Sequence, residues 1–184
     1  AIAPVPGQFY MLRSVRSGLL LGRPISVYNS RRISDSNVSI EFLILLKGTG
    51  TKELISLESG DGIELLGPLG NNWPVPAENS KVLCVGGGVG VAPVAGFAIT
   101  LPKKSYDFVA AFKSGSYGLD YIFPEKLTIT TDDGSVGIKG MVTAAIDSES
   151  VKKYDAVYAC GPTPMLAAVQ KICADAGVKC WLSM

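Results

Sequence analysis

The chain has 184 residues, 47% of them hydrophobic and 18% charged, and carries a net charge of +1. That composition supports the packed core of one or two small domains, excludes disorder, and gives no electrostatic basis for binding nucleic acid or a membrane surface. Histidine is absent, which removes Ser-His-Asp and Cys-His hydrolases and histidine-ligated zinc and leaves a bound cofactor as the expected carrier of any chemistry.

Residues 8–13 read as a strand entered through Pro6 and Gly7, followed by a Ser-, Gly- and Arg-containing link over 14–22. A second strand is predicted over 24–29 and a polar turn over 31–37. From 38 to 47 the pattern alternates, with Val38, Ile40, Phe42, Ile44 and Leu46 facing one way, and its second half is apolar on both faces. Thr51 is placed to cap a short helix over 52–57. Asp61-Gly62 then opens a strand over 63–66, closed by Gly67-Pro68-Leu69-Gly70. Short strands joined by turns predict an antiparallel barrel of the six-stranded type.

Residues 71–80, rich in Pro and Asn and containing Trp73, are read as the domain boundary, which gives 1–76 and 77–184. Beyond it the texture alternates. Strands are predicted over 82–85, 107–112, 127–131, 156–160 and 178–182, and helices over 91–101, 141–146 and 165–176. This is the pattern of a doubly wound parallel sheet, with ligands at the carboxyl ends of its strands.

Three stretches fall at that rim. The first is Gly86-Gly87-Gly88-Val89-Gly90, between an apolar run and a helix start that holds Pro93. Such a turn lets the backbone approach a phosphate and aims N–H groups at it, although Val91 stands where the usual fingerprint has its third glycine. It reads equally as a tight strand-to-helix turn. The second stretch, Thr131-Asp132-Asp133-Gly134, offers carboxylates to ribose hydroxyls and would repel a 2′-phosphate, favouring NAD over NADP; the alternative is a surface turn. The third is Cys160-Gly161-Pro162, where the thiol has no histidine or neighbouring base to activate it. Cys160 is either a cofactor-ring contact or a small buried residue.

In the first half, Arg23-Pro24-Ile25-Ser26 offers a planar cation for a pyrophosphate and a hydroxyl for a ring nitrogen. Lys47-Gly48-Thr49-Gly50-Thr51 leads into the small helix as a second anion-binding start. A helix end contributes only ~0.3–1 kcal/mol toward an exposed anion, so it needs Arg23 as a partner.

The order of these motifs, from Pro-Gly-Gln-Phe at 6–9 through Arg-Pro-Ile-Ser, Gly-Thr-Gly-Thr, Gly-Pro-Leu-Gly, Gly-Gly-Gly-Val-Gly-Val-Ala-Pro and Thr-Asp-Asp-Gly-Ser to Cys-Gly-Pro-Thr-Pro-Met at 160–165, resembles the ferredoxin–NADP reductase superfamily. Within it the chain is most similar to the electron-transfer subunits of NAD-dependent (type B) dihydroorotate dehydrogenases. The resemblance implies an FAD barrel followed by an NAD domain, ferredoxin reductase-like. It implies that Arg23, Pro24, Ile25, Ser26, Gly48, Gly50 and Thr51 hold FAD, with Ser26 near flavin N5 and the backbone of Leu43, Ile44 and Leu45 along the ring. It further implies that Gly86, Gly87, Gly88, Gly90, Pro93, Thr131, Asp132, Asp133, Gly161 and Pro162 hold NAD, with Cys160 facing the nicotinamide. Ser26 and Cys160 are then the residues at the reacting atoms.

The expected activity is a flavin-dependent NADH oxidoreductase of pyrimidine biosynthesis that exchanges electrons with a catalytic dihydroorotate dehydrogenase subunit. Alternatives are an NAD(P)H-dependent ferredoxin or sulfide reductase subunit and a nucleotide-binding interaction module. The family continues into a four-cysteine [2Fe-2S] segment, whereas Cys84, Cys160, Cys173 and Cys180 lack that spacing. No metal site is therefore expected within this sequence, and the cluster is expected only in a longer chain whose first strand also precedes Ala1. No run is long and apolar enough to span a bilayer as a helix and none reads as a signal peptide, which predicts a cytoplasmic location.

Overall fold

A computed structural model describes residues 2–184, and the chain divides into two units between Asn72 and Trp73. In the first unit β1 (Phe9–Ser14), β2 (Arg23–Arg32), β3 (Val38–Phe42) and β4 (Ile63–Leu69) form an antiparallel sheet in the order β3-β2-β1-β4, with one helix, α1 (Thr49–Ile55). Tyr10 and Leu12 of β1 and Val27 of β2 point to the same side of the sheet and bury Leu54 of α1, with Ile25, Ile40, Phe42 and Ile44 around them.

The antiparallel class is the expected one, and the four strands that pair correspond to those the sequence predicts over 8–13, 24–29, 38–47 and 63–66. The expected strand over 38–47 stops at Phe42 for a reason that alternation does not record. β2 pairs with β1 from Arg23 to Ser26 and with β3 from Val27 to Arg32, so Leu43 onward has no β2 partner. The helix starts earlier than expected. Gly48 takes the cap position and Thr51 becomes a helical residue whose hydroxyl reaches back, accepting from the Lys47 and Gly48 N–H groups (2.9 and 3.1 Å) and donating to the Gly48 carbonyl (2.9 Å).

In the second unit β5 (Val82–Gly87), β6 (Tyr106–Phe112), β7 (Lys126–Thr131), β8 (Ile138–Lys139), β9 (Ala156–Cys160) and β10 (Lys179–Ser183) make a parallel sheet in the order β10-β9-β5-β6-β7-β8. Helices α2 (Val91–Ala98), α3 (Ser148–Val151) and α4 (Thr163–Ala176) complete it. Leu83, Val85, Val109, Val157 and Ala159 turn one sheet face toward Leu166, Val169 and Cys173 of α4. On the other face Tyr158 packs against Phe97 of α2, ring centroids 4.5 Å apart. Both faces of the sheet are covered, as its buried, β-branched strands require.

The second unit departs from the sequence reading in places. Trp73 is buried against Phe97 and Tyr158 and donates its indole N–H to the Pro93 carbonyl at 3.2 Å, which draws it into this unit and sets the division ahead of the expected 76/77. The helix expected over 141–146 is a single 3-10 turn over Val142–Ala144, and β8 and α3 are too short to leave a periodic signal. No helix of the described residues is long and apolar enough to cross a membrane.

Candidate functional site

Strand order decides which turns meet. β5 has β6 on one side and β9 on the other, and the chain runs outward through β6, β7 and β8 before returning to β9, so the direction of winding reverses between β5 and β9. A reversal opens a crevice at the carboxyl ends of the two strands, the usual place for a ligand in an open α/β sheet. Here Gly86 lies in register with Cys160, and the turns 87–90 and 161–162 leave their strands side by side.

The glycines of the first turn divide by what a side chain would strike. A Cβ on Gly90 would meet the Cys160 carbonyl oxygen at 2.6 Å and the Gly161 Cα at 2.7 Å, and one on Gly86 would meet the Val91 Cα at 2.7 Å. One on Gly87 would run into the Met165 sulfur, and Gly161 is closed by the Met165 methyl at 2.6 Å. These glycines let the two turns pack backbone on backbone. Gly88 differs: its φ is +54°, which favours glycine, and the single heavy atom near its absent Cβ is the Tyr117 hydroxyl oxygen at 3.8 Å. Of the turn, Gly88 and Val89 are accessible while Gly86, Gly87 and Gly90 are buried. Pro93 is buried too, with its carbonyl engaged by Trp73. It stands in the first turn of α2.

The turn after β7 is built around two side chains. Thr131 is fully buried, its hydroxyl donating to the Val136 carbonyl (2.8 Å) and accepting from the Val136 N–H (3.1 Å), so it closes the loop and is not free for a ribose. Asp133 accepts from the Ser135 N–H at 2.9 Å. Hydrogen bonds from Ser135, and then from Ser114, pull its pKa down to about 2. Asp132 is exposed and anchored through its backbone N–H to the Phe112 carbonyl, which leaves its carboxylate as the outward acceptor.

The segment after β6 belongs to the same rim and was missed from sequence, although strand order alone places it there. The Gly115 N–H donates to the Ser135 hydroxyl at 2.9 Å, tying this segment to the β7 turn. Tyr117 folds back with its ring on Phe112, centroids 4.7 Å apart at 54°, and its hydroxyl beside Gly88. Met165, which seals Gly87 and Gly161, was missed as well; its signal is its place in the first turn of α4.

Cys160 is 9% exposed and its thiol is pushed up to about 11 by burial, against a smaller lowering from Ser183. It is a neutral thiol at physiological pH and no nucleophile. Among the described residues no group of three or more His, Cys, Asp or Glu is placed to hold a metal.

In the first unit Arg23 shares the Leu12 side of the sheet and its side chain lies against Gly50, the buried glycine in the first turn of α1. A Cβ on Gly50 would collide with the Arg23 Nε and come within 3.0 Å of its Cδ and Cζ. The guanidinium is thereby held beside the unpaired N–H groups of a helix start. A cation beside backbone donors would fit a pyrophosphate, the group expected there. Ser26 and Pro24 lie on the opposite side of the strand, paired with Phe9 and Met11. Arg23 and Ser26 are thus not brought onto one face. Beyond the end of β3, Ile44 packs into the core, Leu43 is half-buried and Leu45 is 49% exposed.

No family model matches the sequence. The chain is 40% identical over 181 residues to the dihydroorotate dehydrogenase B (NAD(+)) electron transfer subunit of Clostridium acetobutylicum, covering 97% of this chain and 70% of that protein. Against the proteins of that name from Caldanaerobacter subterraneus subsp. tengcongensis and Clostridium perfringens, identity is 36% and 35%, with 98% and 97% of this chain and 70% and 71% of theirs covered. Among solved structures it is similar to an NADH-dependent reduced ferredoxin-NADP oxidoreductase, with a TM-score of 0.77 and 29% identity over 98% of this chain and 66% of that one. The ferredoxin reductase of carbazole 1,9a-dioxygenase shares the fold, with a TM-score of 0.76 at 22% identity over 97% of this chain and 60% of that one.

Proposed function

Because the chain belongs to the family of dihydroorotate dehydrogenase B (NAD(+)) electron transfer subunits, we propose that it passes electrons between NAD(H) and a partner catalytic subunit through FAD. It is a flavoprotein oxidoreductase of the ferredoxin reductase type. FAD, when bound, supplies the conversion between hydride transfer and single-electron transfer. The observation that carries the reading is the reversal of winding between β5 and β9, which gathers the accessible Gly88, Asp132 and the neutral Cys160 onto one rim.

This chain's residues supply position and electrostatics. Arg23, laid on Gly50, holds the FAD pyrophosphate, and the backbone N–H groups of Gly50 and Thr51 complete the cradle. The Thr51 hydroxyl is spent on Lys47 and Gly48, so its role is to fix the turn. Asp132 accepts from the adenosine ribose and disfavours a 2′-phosphate, which makes NADH the expected donor over NADPH. Cys160, small and uncharged, bounds the nicotinamide pocket without entering side reactions. A [2Fe-2S] relay is no part of this site, since no group among the described residues is placed to hold a metal. The partner is a catalytic dihydroorotate dehydrogenase subunit, and the location is cytoplasmic.

The test is spectroscopic. The full-length protein, purified with its flavin, is expected to bleach on anaerobic addition of NADH, and a flavin-free protein indifferent to NADH would sink the proposal. Reoxidation by dihydroorotate dehydrogenase, but not by ferredoxin, separates this partner from the ferredoxin reductase alternative.

A further inference from the structure

We propose that Tyr117 is a further binding residue of the nucleotide site, donating its phenol hydrogen to the pyrophosphate of a dinucleotide seated on the 88–90 turn. The proposal rests on the nucleotide reading above and names the group in the second unit that faces the phosphates.

Gly86, Gly87 and Gly90 are sealed by their neighbours, so a phosphate approaches the turn at its accessible residues, Gly88 and Val89, and Gly88 is the one with open space at its Cα. The atom that borders the open space there is the Tyr117 oxygen, 3.8 Å from the position of the missing Cβ. A phosphate accepting N–H groups from this turn occupies that space. The tyrosine is held in place, with its ring on Phe112 and its segment tied by the Gly115 N–H to Ser135. Its hydroxyl is not used elsewhere, for no hydrogen bond to another group is found for Tyr117 among the described residues.

Burial raises the Tyr117 pKa above its ordinary value, so the phenol is a neutral donor throughout the physiological range. Neutrality suits this rim. A lysine at this position would be drawn to Asp132 and Asp133 on the neighbouring turn, whereas a phenol offers its hydrogen without competing for those carboxylates. The residue also lacks any other evident duty, because its packing on Phe112 needs a ring but no oxygen.

The Tyr117→Phe variant keeps that ring, so it is expected to fold as the parent does. The full-length flavoprotein is titrated by calorimetry with NADH, ADP and adenosine, and flavin reduction is followed at saturating NADH. A hydrogen bond to a charged acceptor predicts about tenfold weaker binding of both NADH and ADP, with adenosine affinity and the limiting rate of flavin reduction unchanged. Equal weakening for adenosine would mean that the ring's surroundings were disturbed and would overturn the pyrophosphate assignment. Unchanged ADP and NADH affinity in the variant would overturn it while leaving the nucleotide reading intact. A parent that binds neither ligand would instead overturn that reading, and this inference with it.

Discussion

At Gly90 in the second unit an added Cβ would strike carbonyl and Cα atoms of the adjoining turn, whereas at Gly50 in the first it would strike the side chain of Arg23. Both glycines are buried, and both sit where a phosphate is expected. The obstacle at Gly90 is backbone held by a sheet, which has no rotamer to escape through. At Gly50 it is the jointed side chain of an arginine. One position therefore governs whether the turn can exist, and the other governs where a charge is placed.

The largest effect is expected from Gly90→Ala. Overpacking against immovable backbone destabilises by ~3 kcal/mol, at the upper end for such insertions. Thermal unfolding should show a lowered transition for the second unit and loss of NADH binding. A variant melting with the parent would show that the two turns can separate and would dissolve the distinction drawn here.

Gly50→Ala is expected to fold with a stability loss of about 1 kcal/mol or less, while its flavin-to-protein absorbance ratio falls severalfold because Arg23 is displaced. The double variant sharpens the point. In an Arg23→Ala background the Gly50→Ala change should add nothing further to flavin loss, since residues sharing one contact are not additive. Additive losses would mean that Gly50 meets the cofactor by itself.

This contrast explains how much was legible in the sequence. The alternation of apolar strands and helices in residues 82–183 leaves few alternatives to a parallel sheet, so most of its elements and the three turns on its rim could be placed. Which glycines face a ligand was not legible, because Gly87 and Gly90 are sealed by residues as distant in sequence as Cys160, Gly161 and Met165, and Gly86 by Val91 only once the chain turns into α2. Tyr117 was overlooked for the same reason: its neighbour Gly88 is close only after β6 lies beside β5. In the first unit the apolar alternation of 38–47 holds for Ile40, Phe42 and Ile44, which pack on the core, and fails at Leu46, which is 58% exposed. Pairing depends on where β2 exchanges β1 for β3, and no local pattern carries that.

A smaller effect is expected at the β7 turn. Asp132→Asn should narrow the preference for NADH over NADPH by about tenfold in kcat/KM, a change typical of losing one charge contact. Asp133→Asn should change that preference less, because its carboxylate is committed to the Ser135 N–H. Equal effects would show that both carboxylates face the ribose, and a parent that prefers NADPH would refute the charge argument.

The smallest effect at neutral pH concerns Cys160, the counterpart on the sealed side of the crevice. Burial raises its pKa to about 11, so between its ordinary value and about pH 11 the unfolded chain releases a proton that the folded chain keeps. The unfolded state then binds fewer protons, and stability must fall as pH rises through that window. Below it both states hold the proton and the contribution is level with pH. Other buried thiols and phenols share this behaviour, so the informative quantity is a difference. Cys160→Ala should shift stability by an amount constant from pH 6 to about pH 8 and then lose stability less steeply than the parent in alkaline denaturant titrations. Parallel curves would mean that the thiol ionises in the folded chain as it does in water, and hence that the 161–162 turn leaves it open to solvent.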